Sequence, residues 1–464
     1  MVRKNIKIHL HQRLLNRPAG WKLLSHNQRI VFSILVVCLM VIIFKTPLSV
    51  VIPSFMLNAV AMLIICTLSL SYFLQYGISR INLTPAIGIV ILSGFFLWAL
   101  INPGKGVLNI FTLINFLQLL FPLVFWFLLA SVSLPVLLSL AWLVASIACV
   151  LATVSVIEMT LIPNHIVLSL ADYMSLAKLG IANGAESYSP GGMGQLSSFS
   201  YLRPGSLVFE PLTNASIIVV GFVFMSEARG AFRSFRQFLL FLVASVSMVK
   251  SALLTLTLSI LFFILRQRVL LLMTFIACLA IYFSQPYIST FAGGERIEGF
   301  ESISNHLLGL ILGIKNTIEA PLFGHGLGSS GYLVYIESQK LNIVGPFWRP
   351  GFMPMLENGN ESTFGVFVYQ FGFIVTSLFV LSLLKASLNF MKAKMYWASG
   401  LMMGIIFFAT LSESFLSFSI QVAFITITVC LARVAGQVKT YPYKVESQTS
   451  LAERQIIHGL EQNS

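Results

Sequence analysis

Runs of about 15 to 25 apolar residues, broken by short polar stretches, cover most of this chain. That is the length an α-helix needs to cross roughly 30 Å of hydrocarbon. Inside lipid every backbone N–H must find a partner within its own segment, so the runs read as helices. A β-barrel would instead show short strands of alternating hydropathy, and none is evident. The pattern predicts an all-α polytopic membrane protein with spans at about 30–44, 53–74, 85–101, 107–130, 134–157, 206–225, 236–249, 252–265, 269–284, 364–384, 396–411 and 415–432. The seventh and eighth runs are short and poorly separated, so the count is about 12 transmembrane helices, with 11 also allowed.

Two polar intervals are long, 158–205 and 285–363, whereas loops between bundle helices are usually short. Loops of this size tend to carry function. The first is rich in Gly and Ser around Gly191-Gly192-Met193-Gly194, which suggests a mobile flap. In the second, Phe300, Ile303, Leu307, Leu310, Ile311, Ile314 and Ile318 recur at helical spacing. They predict an amphipathic helix on the membrane surface or over the bundle mouth. The chain therefore divides into a basic tail (1–29), helices (30–157), a loop (158–205), central helices (206–284), a large loop (285–363), C-terminal helices (364–432) and a tail (433–464). No internal repeat is visible.

Composition agrees with this reading and fixes the orientation. Of the 464 residues, 57% are hydrophobic and 10% charged, too few charges to cover a water-soluble surface of this size. The formal net charge of +13 could suggest nucleic acid, but its distribution does not. Arg3, Lys4, Lys7, Arg13, Arg17, Lys22 and Arg29 crowd ahead of the first apolar run, as in a retained signal anchor with a cytoplasmic N-terminus. A 12-span count from there puts Arg80, Arg229, Arg233, Arg236, Arg266, Arg268, Lys385, Lys392, Lys394 and the C-terminal tail on the cytoplasmic side. The same count places both long loops, and most of the acidic residues, on the exterior side. The five cysteines all sit in apolar runs with no CxxC spacing, so they read as small buried hydrophobes rather than metal ligands or disulfides.

The polar residues that interrupt this scheme are the candidates for chemistry. Arg203-Pro204-Gly205 leads into a span that carries Glu210-Pro211, so a cation and a carboxylate flank one membrane boundary. They could form a structural pair, or Glu210 could face a cavity. Lys250 interrupts the run from Phe238 to Leu265, as a snorkelling lysine in an exterior turn or as a cation held at the outer mouth. Arg296 stands ahead of the amphipathic stretch, and its planar guanidinium suits phosphate oxygens. Pro321-Leu322-Phe323-Gly324-His325-Gly326-Leu327-Gly328 is a glycine-rich turn that permits close backbone approach. It lacks the preceding strand and following GK[ST] of a nucleotide loop, and His325 reads as a hydrogen-bonded loop residue or a substrate contact. Glu361 precedes the span from Phe364.

Taken in order, Arg203…Glu210-Pro211, Lys250, Arg296, the Pro321–Gly328 turn and Gly372 resemble the bacterial O-antigen polymerase/ligase family, over roughly residues 195–380. Position 250 is often arginine there and is lysine here. The ligase branch has His-Asn about eleven residues before a glycine like Gly372; this chain has Glu361-Ser362, which favours the polymerase branch. The resemblance implies transfer of a growing glycan from undecaprenyl diphosphate onto a lipid-linked repeat unit, without metal or cofactor. Arg203, Arg296 and Lys250 would bind the diphosphate, and Glu361 or Glu210 would act as base. The implied partners are the undecaprenyl-diphosphate-linked oligosaccharide, membrane lipid, a chain-length regulator and a flippase, with no nucleic acid. The alternatives are a ligase-type glycan transferase and, from another class, a transporter or flippase of lipid-linked sugars.

Overall fold

The computed structural model describes residues 24–48, 54–76, 83–101, 109–161, 193–196, 199–202, 206–208, 210–230, 233–247, 249–268, 320–327, 362–411 and 417–437, with isolated positions including 15, 52, 310, 313, 314, 317 and 318. Arg203, Arg296, Glu361 and the expected span 269–284 lie outside the described residues.

Every other apolar run is helical. In chain order these are α1 (His26–Ile43), α2 (Ser54–Tyr76), α3 (Leu83–Ile101), α4 (Asn109–Ser131), α5 (Leu134–Leu161), α6 (Pro211–Arg229), α7 (Phe235–Val246), α8 (Lys250–Leu265), α9 (Thr363–Lys392), α10 (Tyr396–Leu411) and α11 (Phe418–Gln437). By length and composition, α1, α2, α5, α6, α9 and α11 can each cross a membrane. The remaining apolar helices are shorter by that measure, and α7 and α8 have only 12 and 16 residues. The chain is an all-α membrane protein in its body. One departure lies in the Gly/Ser-rich loop, where β1 (Met193–Leu196) pairs antiparallel with β2 (Phe199–Leu202), Met193 opposite Leu202.

Boundaries follow local chemistry. Ser25 and Gln28 form a capping box at the start of α1, and Ser234 and Gln237 repeat it at α7. The sixth span begins later than its hydropathy suggests. Residues Ser206–Val208 form a 3₁₀ turn, and α6 opens at Pro211, where a missing N–H costs nothing. The core is built around α6, whose side chains are nearly all buried, and α5 and α10 pack on it. Between α8 and α10 the approach is too close for side chains. A Cβ on Gly400 would lie 2.4 Å from the Ser259 Cα, and one on Gly404 2.5 Å from the Thr255 methyl. Such small-residue contacts are how helices adhere where lipid supplies no hydrophobic drive.

The pairing also gives directions. Gly400 meets Ser259 while Gly404 meets Thr255, so α8 and α10 are antiparallel. Helix α9 joins α10 through a tight turn, with Ser387 and Ser399 hydrogen-bonded side by side at 2.8 Å. The C-terminal end of α6 meets the N-terminal end of α10, where the Ala398 N–H donates to Glu227 Oε1 at 3.0 Å. Thus α6, α8 and α9 run parallel to one another around α10, and all three begin toward the same end of the bundle.

Candidate functional site

That shared end is where the described candidates fall. Glu210 is the residue before α6, Lys250 opens α8, and Ser362, next after Glu361, is the N-cap of α9. Helix N-termini carry partial positive charge and unsatisfied N–H groups, so three of them at one end favour anionic ligands. Ser362 Oγ accepts from the Gly365 N–H at 3.2 Å, which fixes the chain direction just after Glu361.

Glu210 is half-buried, with extended backbone. It does not cap α6 through its side chain; instead the Thr213 hydroxyl donates to Oε2 at 2.6 Å. Thr213 is buried, so this short bond holds one carboxylate oxygen against the helix. Beneath it lies a polar layer that the hydropathy pattern did not reveal. The Asn214 amide donates to Ser155 Oγ at 2.8 Å, and the Ser206 N–H donates to Glu158 Oε2 at 2.8 Å. Ser206 Oγ donates to the Leu151 carbonyl at 2.9 Å. Ser206 is also one of the few non-glycine residues at positive φ, +50°. A strained residue persists only where its surroundings over-determine it, and here two bonds from α5 do so. Glu158 counts as the first residue of the loop in a hydropathy reading, yet it is 5% exposed and packed inside. Its single clue is an acid between Ile157 and Met159 at the end of an apolar run.

The glycine-rich turn has a definite partner. Helix α9 is broken at Gly372 (φ 71°, ψ −176°), and the turn docks into the break. The His325 N–H donates to the Tyr369 carbonyl at 2.8 Å, the Gly326 N–H to the Gln370 carbonyl at 3.1 Å, and the Phe373 N–H to the Pro321 carbonyl at 2.9 Å. Both glycines are required by this contact. A Cβ on Gly324 would stand 2.6 Å from the Gly372 nitrogen, and one on Gly372 2.5 Å from the Leu322 carbonyl oxygen. Each also has positive φ. The turn supplies the hydrogen bonds the helix loses at its break, as non-helical backbone at membrane depth demands.

The second half of the turn is buried in the bundle, with Gly324, Gly326 and Leu327 enclosed, while Pro321, Leu322 and Phe323 stay exposed. Leu327 packs with Leu92 and Phe371, its carbonyl accepts from Thr112 Oγ1 at 3.3 Å, and Gly326 faces Trp98. His325 stacks on Tyr369, with ring centroids 4.5 Å apart and 19° between planes. That contact gives the histidine a packing role at the break.

In the described part of the amphipathic segment the small residues pack on protein and the apolar ones face out. Gly313 is pressed against Gly365, where an added Cβ would lie 2.4 Å from the carbonyl oxygen, and Thr317 is buried. Ile314 and Ile318 face outward, Ile318 with 70% of its surface exposed. In a bilayer the small face packs on protein and the apolar face meets lipid.

Among the described residues, no group of three or more His, Cys, Asp or Glu side chains is placed to hold a metal. No family model and no curated protein sequence matches the chain.

Proposed function

We propose that the chain polymerises a bacterial surface polysaccharide (O-antigen, capsule or exopolysaccharide), moving the growing glycan from undecaprenyl diphosphate onto a lipid-linked repeat unit. In this reading it lies in the inner membrane with both termini cytoplasmic, and the shared end of α6, α8 and α9 faces the periplasm. The observation that carries the proposal is that convergence: three helix N-termini, each next to a residue singled out by charge, at one end of the bundle. Breaking the anomeric C–O bond leaves negative charge on the departing diphosphate, and fixed cations and helix dipoles favour that change. Arg203, Arg296 and Lys250 are assigned to the diphosphate. Glu361 is assigned as the base for the acceptor hydroxyl, with Glu210, held by Thr213, as the carboxylate that orients an arginine. A lipid diphosphate is a good leaving group, so the scheme invokes no metal or cofactor.

The helix break at Gly372 favours a second reading, transport of a lipid-linked sugar, because discontinuous helices line many transporter sites. Deleting the gene and resolving the surface polysaccharide on a gel separates these. Loss of polymerase leaves glycans capped with a single repeat unit. Loss of a ligase removes attached glycan while lipid-linked polymer accumulates. Loss of a flippase leaves lipid-linked single units on the cytoplasmic leaflet, and either of these two outcomes overturns the proposal. Within the polymerase reading, Arg203→Ala and Arg296→Ala abolish polymer at normal membrane abundance; normal chain length in both removes them from the site.

A further inference from the structure

Three arginines converge where α6 gives way to α7. Arg229, in the last turn of α6, lies over the Trp142 ring of α5 at 4.9 Å. Arg233 folds back on the helix end, so that a Cβ on Gly230 would stand 3.2 Å from its Nε. Arg236 follows in the first turn of α7, which the Gln237 amide ties to the Gly230 carbonyl at 2.6 Å. Arg229 and Arg236 both lie close enough to Cys149 of α5 for their charges to act on it. Arg229 is half-buried, and Arg233 and Arg236 are exposed. The arrangement opposes local electrostatics. The start of a helix favours acids, yet α7 has none in its first turn and carries Arg236 there. No Asp or Glu precedes Glu158, which stands at the other end of α5, and none lies between Glu227 and Glu295. Glu227 is buried and accepts from the Ala398 N–H.

We propose that Arg229, Arg233 and Arg236 bind the phosphodiester of an anionic phospholipid in the leaflet at that end, with its acyl chains along α7. Like charges held together without a carboxylate are a local conflict that an anion from outside resolves. A phosphodiester suits guanidinium forks better than a point charge does. The rest of the surface calls for hydrocarbon. Helix α7 exposes Phe235, Phe238, Leu242 and Val246, which share one face. From Phe235 to Val246 it rises about 16 Å, close to one leaflet's half of roughly 30 Å of hydrocarbon. Trp142, under Arg229, is of a type that settles at headgroup level. A lipid held here binds the folded chain and stabilises it by mass action. The site needs only that the chain sits in a bilayer and does not depend on the glycan-transfer reading.

The test melts the full-length protein, purified in dodecyl maltoside, with three additions. These are phosphatidylglycerol, phosphatidylcholine of the same chains, and glycerophosphoglycerol, which is the first headgroup without chains. Phosphatidylglycerol alone should raise the Tm, by several degrees. Arg233→Gln combined with Arg236→Gln weakens half-saturation roughly thirtyfold, at about a factor of five per cation near a lipid surface. Because it relieves like-charge repulsion, this variant melts at or above the parent's Tm when no lipid is added. Arg266→Gln combined with Arg268→Gln removes the same charge from the exposed turn after α8 and keeps the parent's response. An equal shift from phosphatidylcholine overturns the proposal, as does one from glycerophosphoglycerol, which marks a site for free phosphate, or from poly-glutamate, which marks an acidic protein partner. An unaltered lipid response in the first variant also overturns it, and equal loss in the second shows a diffuse field instead of a site. A lipid-free Tm of the first variant well below the parent's overturns it too, because the arginines would then hold the fold themselves.

Discussion

The two ends of the bundle are built on different principles. At the end bearing Arg229, helix termini are tied by side chains. Glu227 accepts from the first turn of α10, Gln237 donates to the Met225 and Gly230 carbonyls, Ser387 and Ser399 bond across a hairpin, and the Arg433 guanidinium donates to the Val132 carbonyl. Arg229 lies over the Trp142 ring at 4.9 Å. These contacts satisfy backbone groups near helix ends and join neighbouring elements. At the opposite end α9 breaks at Gly372, and the backbone of the glycine-rich turn bonds into the break. Interruptions stabilised by specific partners gather where a protein binds or reacts, whereas side-chain ties close a structural face.

The contrast can be broken by substitution. The largest effect belongs to Gly372→Ala, which adds a Cβ 2.5 Å from the Leu322 carbonyl oxygen at a positive-φ position. We expect a loss of about 3 kcal/mol or more, seen as lost membrane abundance and a lowered Tm in detergent. Unchanged melting would show that the turn does not dock there. Next is Glu227→Ala, which strips the acceptor from the buried Ala398 N–H and costs about 1–3 kcal/mol. Glu227→Gln keeps an acceptor, so its Tm should lie close to the parent's. The smallest is Ser362→Ala, which removes the N-cap of α9 at about 1 kcal/mol. Its effect sharpens the contrast if polymer length falls more than stability does, because Ser362 adjoins Glu361.

Much of this was legible in the sequence, and the reasons for the exceptions are physical. Run length alone gave membrane class and the approximate positions of the helices, because the bilayer imposes one length on all of them. The glycines of the 321–328 turn and Gly372 stood out separately, but their contact joins distant parts of the chain and has no local signal. Glu158 and Glu227 were missed for a common reason. A hydropathy window assigns a lone acid near a run's end to the adjoining loop, whereas each is buried against a backbone N–H of another segment. The amphipathic segment's spacing left open whether its apolar face meets lipid or protein. Its small residues, Gly313 and Thr317, face the protein, and Ile314 and Ile318 face out. Arg203, Arg296 and Glu361 remain proposals grounded in charge and resemblance.

The central claim is that the end bearing Glu210 is the working face and the end bearing Glu227 a structural one. Its most direct test compares Glu210→Gln with Glu227→Gln at matched membrane abundance, reading surface-glycan chain length on a gel. The account predicts that Glu210→Gln shortens or abolishes polymer while Glu227→Gln leaves chain length as in the parent. Full-length polymer from Glu210→Gln together with its loss in Glu227→Gln would contradict it.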